Sequence, residues 1–102
     1  MTQIGVFAFT APLWLHPGAD GWHFVSLPPP VGEDVGELTA GLRRGFGSVR
    51  VAATVGGTSW RTSVFPDRAR GTYLLPVKQQ VRTAEGLVAG DDVAVRLELV
   101  DL

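Results

Sequence analysis

Apolar and polar residues alternate with a period of two along most of the chain, the mark of β-structure with one buried face. Ile4, Val6 and Ala8, with Phe7, Phe9, Leu13 and Leu15, make an apolar, strand-prone segment from about Ile4 to Leu15. Pro12 interrupts it and predicts an edge position or a bulge, because proline has no N–H to give a ladder. Pro17 to Gly21 reads as a turn, and Trp22 to Leu27 as a second strand that the prolines at 28, 29 and 30 must end. From Val31 the apolar spacing changes to four, three and four, through Val35, Leu38 and Leu42. Glu33 and Asp34 stand near its start and Arg43 and Arg44 near its end, the order that suits a helix dipole. A helix is predicted there, weakened by Gly32, Gly36 and Gly41 by up to ~1 kcal/mol each relative to Ala, and closed by Gly45 and Gly47. Val49, Val51, Ala53 and Val55 then alternate with Arg50 and Thr54 as a third strand. Gly56-Gly57 signals a tight hairpin into a fourth, Thr58 to Phe65, which Pro66-Asp67 stops.

The cycle then repeats. Gly71 to Leu75 is strand-like before Pro76, and Val77 to Glu85 reads as a short helix with Val77, Val81 and Ala84 on one side and Gly86 as its terminator. Ala89 to Asp92 turns into Val93, Val95, Leu97 and Leu99, an alternating C-terminal strand. The order is strand, strand, helix, strand, twice over: a repeated ββαβ unit with halves at about 1–56 and 57–102. Setting Pro30 beside Pro76 also places Val31 on Val77 and Val35 on Val81. The expected product is a mainly β, helix-capped double-split barrel in one domain, with Val51, Val55, Val93 and Val95 or their immediate neighbours facing a shared core, since 102 residues suit one core rather than two.

With 45% hydrophobic residues the chain can bury such a core. It has no cysteine, which removes disulfides, thiolate metal sites and cysteine nucleophiles. No apolar run approaches the ~20 residues that span a bilayer, and Met-Thr-Gln-Ile lacks the basic start of a signal peptide. The expectation is a cytoplasmic protein without a membrane partner. The net charge of -1 conceals a strong segregation. Residues 1–42 carry four acids and no Lys or Arg, and residues 83–102 carry five acids and Arg96 alone. Between them Arg43, Arg44, Arg50, Arg61, Arg68, Arg70, Lys78 and Arg82 face the single acid Asp67. Seven of these eight are Arg, whose planar fork suits phosphate and carboxylate. Either the basic middle forms an anion-binding face, or it folds against the acidic ends and each Arg finds a carboxylate.

Trp60-Arg61-Thr62-Ser63 alternates along the fourth strand, so Trp60 and Thr62 share one face and Arg61 and Ser63 the other. Arg50 on the preceding strand can lie across the hairpin from them. The candidate ligand-binding set is Arg50, Trp60, Arg61, Ser63, Lys78 and Arg82, centred on Arg61. His16 and His23 flank the Pro-Gly turn near Asp20, but no spacing of metal ligands accompanies them. Trp14 and Trp22 bracket the same turn and offer a stacking platform, or ordinary rim packing. There is no G-x-S-x-G and no phosphate loop. No catalytic residue, metal or cofactor is therefore assigned.

The strands Trp22-His23-Phe24-Val25-Ser26-Leu27-Pro28 and Val49 to Pro66, with its Trp60-Arg61-Thr62-Ser63-Val64-Phe65-Pro66, resemble an uncharacterised bacterial family, domain of unknown function number nineteen hundred and five. Gly71 to Lys78, Val81 to Gly86 and the Gly90-Asp91 turn resemble it too. The fold this implies is a double-split β-barrel capped by helices, related to the swapped-hairpin barrels of the AbrB and MazE type. Those relatives are mainly DNA-binding or antitoxin proteins in which two chains share a barrel, whereas two ββαβ halves would let this chain close one alone. The resulting expectation is a monomer or weak homodimer, a binding module for a small anionic ligand or nucleic acid. The alternatives are an enzyme acting on a small anionic substrate and an accessory domain that binds another protein.

Overall fold

The computed structural model describes residues 5–18, 21–41 and 47–101. The elements run β1 (Val6–Leu15), β2 (His23–Ser26), α1 (Pro29–Leu38), β3 (Val49–Val55), β4 (Thr58–Asp67), β5 (Thr72–Pro76), α2 (Gln79–Glu85) and β6 (Asp92–Leu99). The strands close a barrel in the order β1-β2-β5-β4-β3-β6, and every neighbouring pair is antiparallel. Exchanging β1 with β4, β2 with β5 and β3 with β6 leaves each neighbour relation unchanged, so the repeated strand, strand, helix, strand order carries through to the topology. No helix among the described residues is long and apolar enough to cross a membrane.

Two ten-residue strands make the closure. β1 pairs with β6 from Val6 to Pro12 and with β2 from Leu13 to Leu15. β4 pairs with β3 from Thr58 to Val64 and with β5 from Phe65 to Asp67. Each strand leaves one ladder and enters another partway along, which explains Pro12. The Leu13 N–H donates to the Asp91 carbonyl on the β6 side at 2.8 Å, and backbone groups alternate sides along a strand. The N–H that Pro12 lacks would point toward β2, whose ladder starts only at Leu13. The proline therefore sits inside a closed barrel, at a change of partner, and not on a free edge.

Val51, Val55, Val93 and Val95 are buried together with Leu13, Val25, Val64, Leu75 and Leu97. Along β6 the pattern is strict: Val93, Val95, Leu97 and Leu99 point inward while Asp92, Ala94, Arg96 and Glu98 are exposed.

Helix α1 begins two residues before the expected Val31. Pro28 is its extended N-cap and Pro29 and Pro30 fill its first positions, where a missing N–H leaves nothing unpaired and a fixed φ is already helical. The three prolines thus both stop β2 and start α1. The helix ends at Leu38, and the buried Thr39 hydroxyl donates to the Val35 carbonyl at 2.7 Å. Leu42, Arg43, Arg44 and Gly45 lie outside the described residues. At the other end of the barrel's second half, the Thr58 hydroxyl donates to Glu85 at 2.6 Å and ties the last turn of α2 to the β3–β4 hairpin.

The hydrogen bonds also set the correspondence between the halves. Leu27 N–H donates to the Tyr73 carbonyl and Val77 N–H to the His23 carbonyl, both at 2.9 Å. Gly32 N–H donates to Pro28 and Arg82 N–H to Lys78. These bonds interchange when Leu27 is matched with Val77, His23 with Tyr73, Pro28 with Lys78 and Gly32 with Arg82. Val31 then falls on Val81, not on Val77. An alignment through Pro30 and Pro76 misleads because Pro30 lies within a helix and Pro76 ends a strand.

Candidate functional site

Pairing of β2 with β5 brings the turn before β2 beside the connection into α2, with Phe24 opposite Pro76. A pocket of about 200 Å³ lies there, walled by Trp22 and His23 on one side and by Pro76, Val77, Lys78 and Arg82 on the other. Its lining is largely apolar and includes two cations, Lys78 and Arg82.

Comparison of the two halves explains why the pocket exists. In the first half α1 lies flush on the barrel, because Gly32 has no Cβ and the Thr72 hydroxyl fills that space. The hydroxyl donates to the Leu27 carbonyl at 2.8 Å, and all three residues are buried. In the second half Arg82 stands for Gly32, Trp22 for Thr72 and Val77 for Leu27. The Val77 carbonyl takes its bond from Arg82 Nε at 3.1 Å. The equivalent carbonyl is thus satisfied in each half, by the Thr72 hydroxyl of β5 in one and by the helix's own guanidinium in the other. Trp22 does not pack where Thr72 does; it stands 53% exposed at the pocket edge.

The bond through Nε orients Arg82 and leaves its two terminal nitrogens, the pair that forks onto an oxyanion. Among the described residues the ion pairs join Arg61 to Asp101, Arg70 to Asp67 and Arg96 to Glu98, so neither Arg82 nor Lys78 meets a carboxylate there.

Both histidines serve the adjoining turn. His23 Nδ1–H donates to the Gly21 carbonyl at 2.7 Å, and His16 Nδ1 accepts the Gly18 N–H at 3.0 Å. Asp20, read as their carboxylate neighbour, is outside the described residues. Beyond the pocket the rings continue along the outer surface of β1 and β2. Trp22 stacks on Phe24 with centroids 5.9 Å apart and planes at 22°. Phe24 meets Trp14 at 5.3 Å, and the Trp14 Nε1–H donates to the Ser26 hydroxyl.

Arg70 lies over Trp14, 4.3 Å from the ring centroid, and bonds the Asp67 carboxylate at 2.8 Å. That bond holds the Asp67 carboxyl below its ordinary value of 3.8, against a smaller opposing effect of desolvation. A carboxyl depressed in the folded state adds stability above its unfolded pKa and loses it as pH falls through the folded one. In Arg70→Ala the Asp67 carboxyl should titrate at higher pH, by NMR. The accompanying loss of stability should be present above about pH 4 and fade in acid.

The six residues proposed from sequence do not form one cluster. Arg50, Arg61 and Ser63 occupy the outer face of β3 and β4, with Arg50 directly opposite Ser63 and Arg61 opposite Ala52. Arg61 reaches Asp101 at 3.7 Å, so a basic residue of the middle meets an acidic residue of the C-terminal end. Trp60 faces inward, partly buried against the core. Lys78 and Arg82 lie apart from these, at the pocket. Trp22 and His23 complete that pocket, and no local signal joins them to Lys78 and Arg82. Only the β2–β5 ladder, between segments half a chain apart, brings the four together.

Residues 9–97 match the model of a family described as Domain of unknown function (DUF1905). No curated protein matches the chain.

Proposed function

We propose that this chain, which belongs to the family Domain of unknown function (DUF1905), is a binding module that takes an anionic ligand in the pocket between the start of β2 and α2. The observation that carries this reading is the pair Lys78 and Arg82 over an apolar pocket, with no carboxylate partner among the described residues. Two cations held together repel each other, and an anion between them relieves the repulsion while filling the Arg82 fork. The outer β3–β4 face supports the same function less well, because Arg61 and the nearby Arg96 already have carboxylates within 4 Å. A relation to AbrB and MazE type barrels belongs to the same proposal and is supported by the repeated ββαβ order.

The test is calorimetric titration of the purified protein with inorganic phosphate and with small carboxylates, at low and high salt. Saturable binding that weakens with salt is expected. Arg82→Ala should weaken it about tenfold to a hundredfold, the worth of a charge-assisted bond, and Lys78→Ala less, whereas Arg61→Ala should leave it unchanged. Binding that responds to Arg61→Ala and ignores Arg82→Ala would move the site to the outer sheet face.

A further inference from the structure

We infer that the anion this pocket takes is a nucleotide, with its base stacked on Trp22 and its phosphate held by Arg82 and Lys78. The inference rests on the anion site proposed above and adds the chemistry of the rest of the ligand. A bare phosphate or acetate would use the two cations and leave the indole and the Pro76–Val77 wall in water. A purely apolar ring would do the reverse and leave the cations unused. One pocket is lined by both a flat apolar ring and a forked cation, and a base carrying a phosphate is the ligand that uses both.

Trp22 is prepared for stacking. Trp22 is 53% exposed, so part of its ring is open to a ligand. It is also braced: Phe24 stacks on it at 22°, and Phe24 is itself packed on Trp14. One side of the indole is thus supported by protein while the ring borders the pocket. A ring fixed in this way loses little freedom when a base stacks on it. Gln79 also lines the pocket and supplies an amide, which can both donate to and accept from the edge of a base.

Size and shape restrict the source of the nucleotide. A pocket of about 200 Å³ is smaller than a whole nucleotide and takes part of one unit, the rest lying outside it. A base face is available for stacking in a free mononucleotide or in a single strand, but is hidden in a duplex. The common chemistry is therefore an unpaired nucleotide. Rings continuing from Trp22 through Phe24 to Trp14 give a single strand more surface to follow than a free mononucleotide can use.

Calorimetry on the intact chain with four probes tests this: adenosine monophosphate, adenosine, inorganic phosphate and a short single-stranded oligodeoxyadenylate, the last also annealed into a duplex. The monophosphate should bind at least tenfold more tightly than either adenosine or phosphate. Trp22→Ala should cost the monophosphate about tenfold and leave phosphate binding as it was, while Trp22→Phe should restore most of the loss. Arg82→Ala should weaken both. Oligodeoxyadenylate binding more tightly than the monophosphate would identify a single strand as the source, and equal affinities a free nucleotide; both outcomes support the inference. A monophosphate that binds no more tightly than phosphate, with an affinity that Trp22→Ala does not alter, would overturn the nucleotide assignment and leave the anion site standing. If no probe binds, or if binding survives Arg82→Ala, the anion site itself fails. Duplex binding as tight as single-strand binding would also overturn the inference, since it requires no exposed base. Trp22 is on the surface, so an unchanged thermal melt in its variants separates loss of binding from loss of fold.

Discussion

Leu97→Ala is expected to lower the thermal midpoint by about 10 °C or more. Leu97 is fully buried at the middle of β6, between Phe7 of β1 and Ala53 of β3. Removing three carbons there forfeits their transfer free energy and leaves a cavity. Neighbouring strands locked in ladders on both sides cannot collapse into it, and the cost of such a truncation is about 2–5 kcal/mol. Against a total stability of roughly 5–15 kcal/mol this is a large share, and each kcal/mol moves the midpoint of a domain this size by about 4–8 °C. Glu98→Ala is the control, because Glu98 is the next residue on the strand but points to solvent; its effect should stay within about 0.5 kcal/mol. Calorimetric melts of the two variants check both values. A Leu97→Ala protein that melts within two degrees of the parent would mean that β6 does not close the barrel.

The ease with which β6 can be read from sequence shows what kind of information the chain displays. Val93, Val95, Leu97 and Leu99 alternate with polar or small residues, and period two alone determines both the strand and its buried face. Pro12 and the prolines at 28–30 were harder, because their meaning depends on partners. Proline is tolerated in β1 only because the strand changes ladders there, and that change is a property of the closed barrel. The repeat was legible as an order of elements but not residue by residue, since the bonds that relate Leu27 to Val77 run between halves. The candidate site divides along the same line. Lys78 and Arg82 stood out through charge and Trp22 through its place at a turn, yet their meeting depends on the register of Phe24 with Pro76. Arg61 shows the converse: charge segregated along the chain becomes mixed in space once Asp101 folds beside it.

Gly32→Ala is expected to destabilise the protein by about 1–3 kcal/mol, the usual cost of overpacking, although alanine is the better helix former by ~1 kcal/mol. A Cβ at position 32 would overlap the Thr72 hydroxyl and would lie 3.1 Å from Thr72 Cβ and 3.4 Å from its Cα. Rotating the hydroxyl away would not be free. It donates to the buried Leu27 carbonyl, and an orphaned buried acceptor costs about 1–3 kcal/mol. Helix α1 would have to lift from β5 or break that bond. Gly36→Ala provides the contrast on the same helix, because its Cβ would meet only the Tyr73 side chain, the hydroxyl at an ordinary 3.7 Å and Cε1 at 4.0 Å. That substitution should be neutral or stabilising. Denaturant unfolding of both variants, repeated in a Thr72→Ala background, separates clash from helix propensity: with the hydroxyl gone, Gly32→Ala should cost distinctly less. If Gly32→Ala proves as harmless as Gly36→Ala, α1 does not lie flush on Thr72. The contrast between a sealed first half and an open second half, on which the pocket at Arg82 depends, would then be lost.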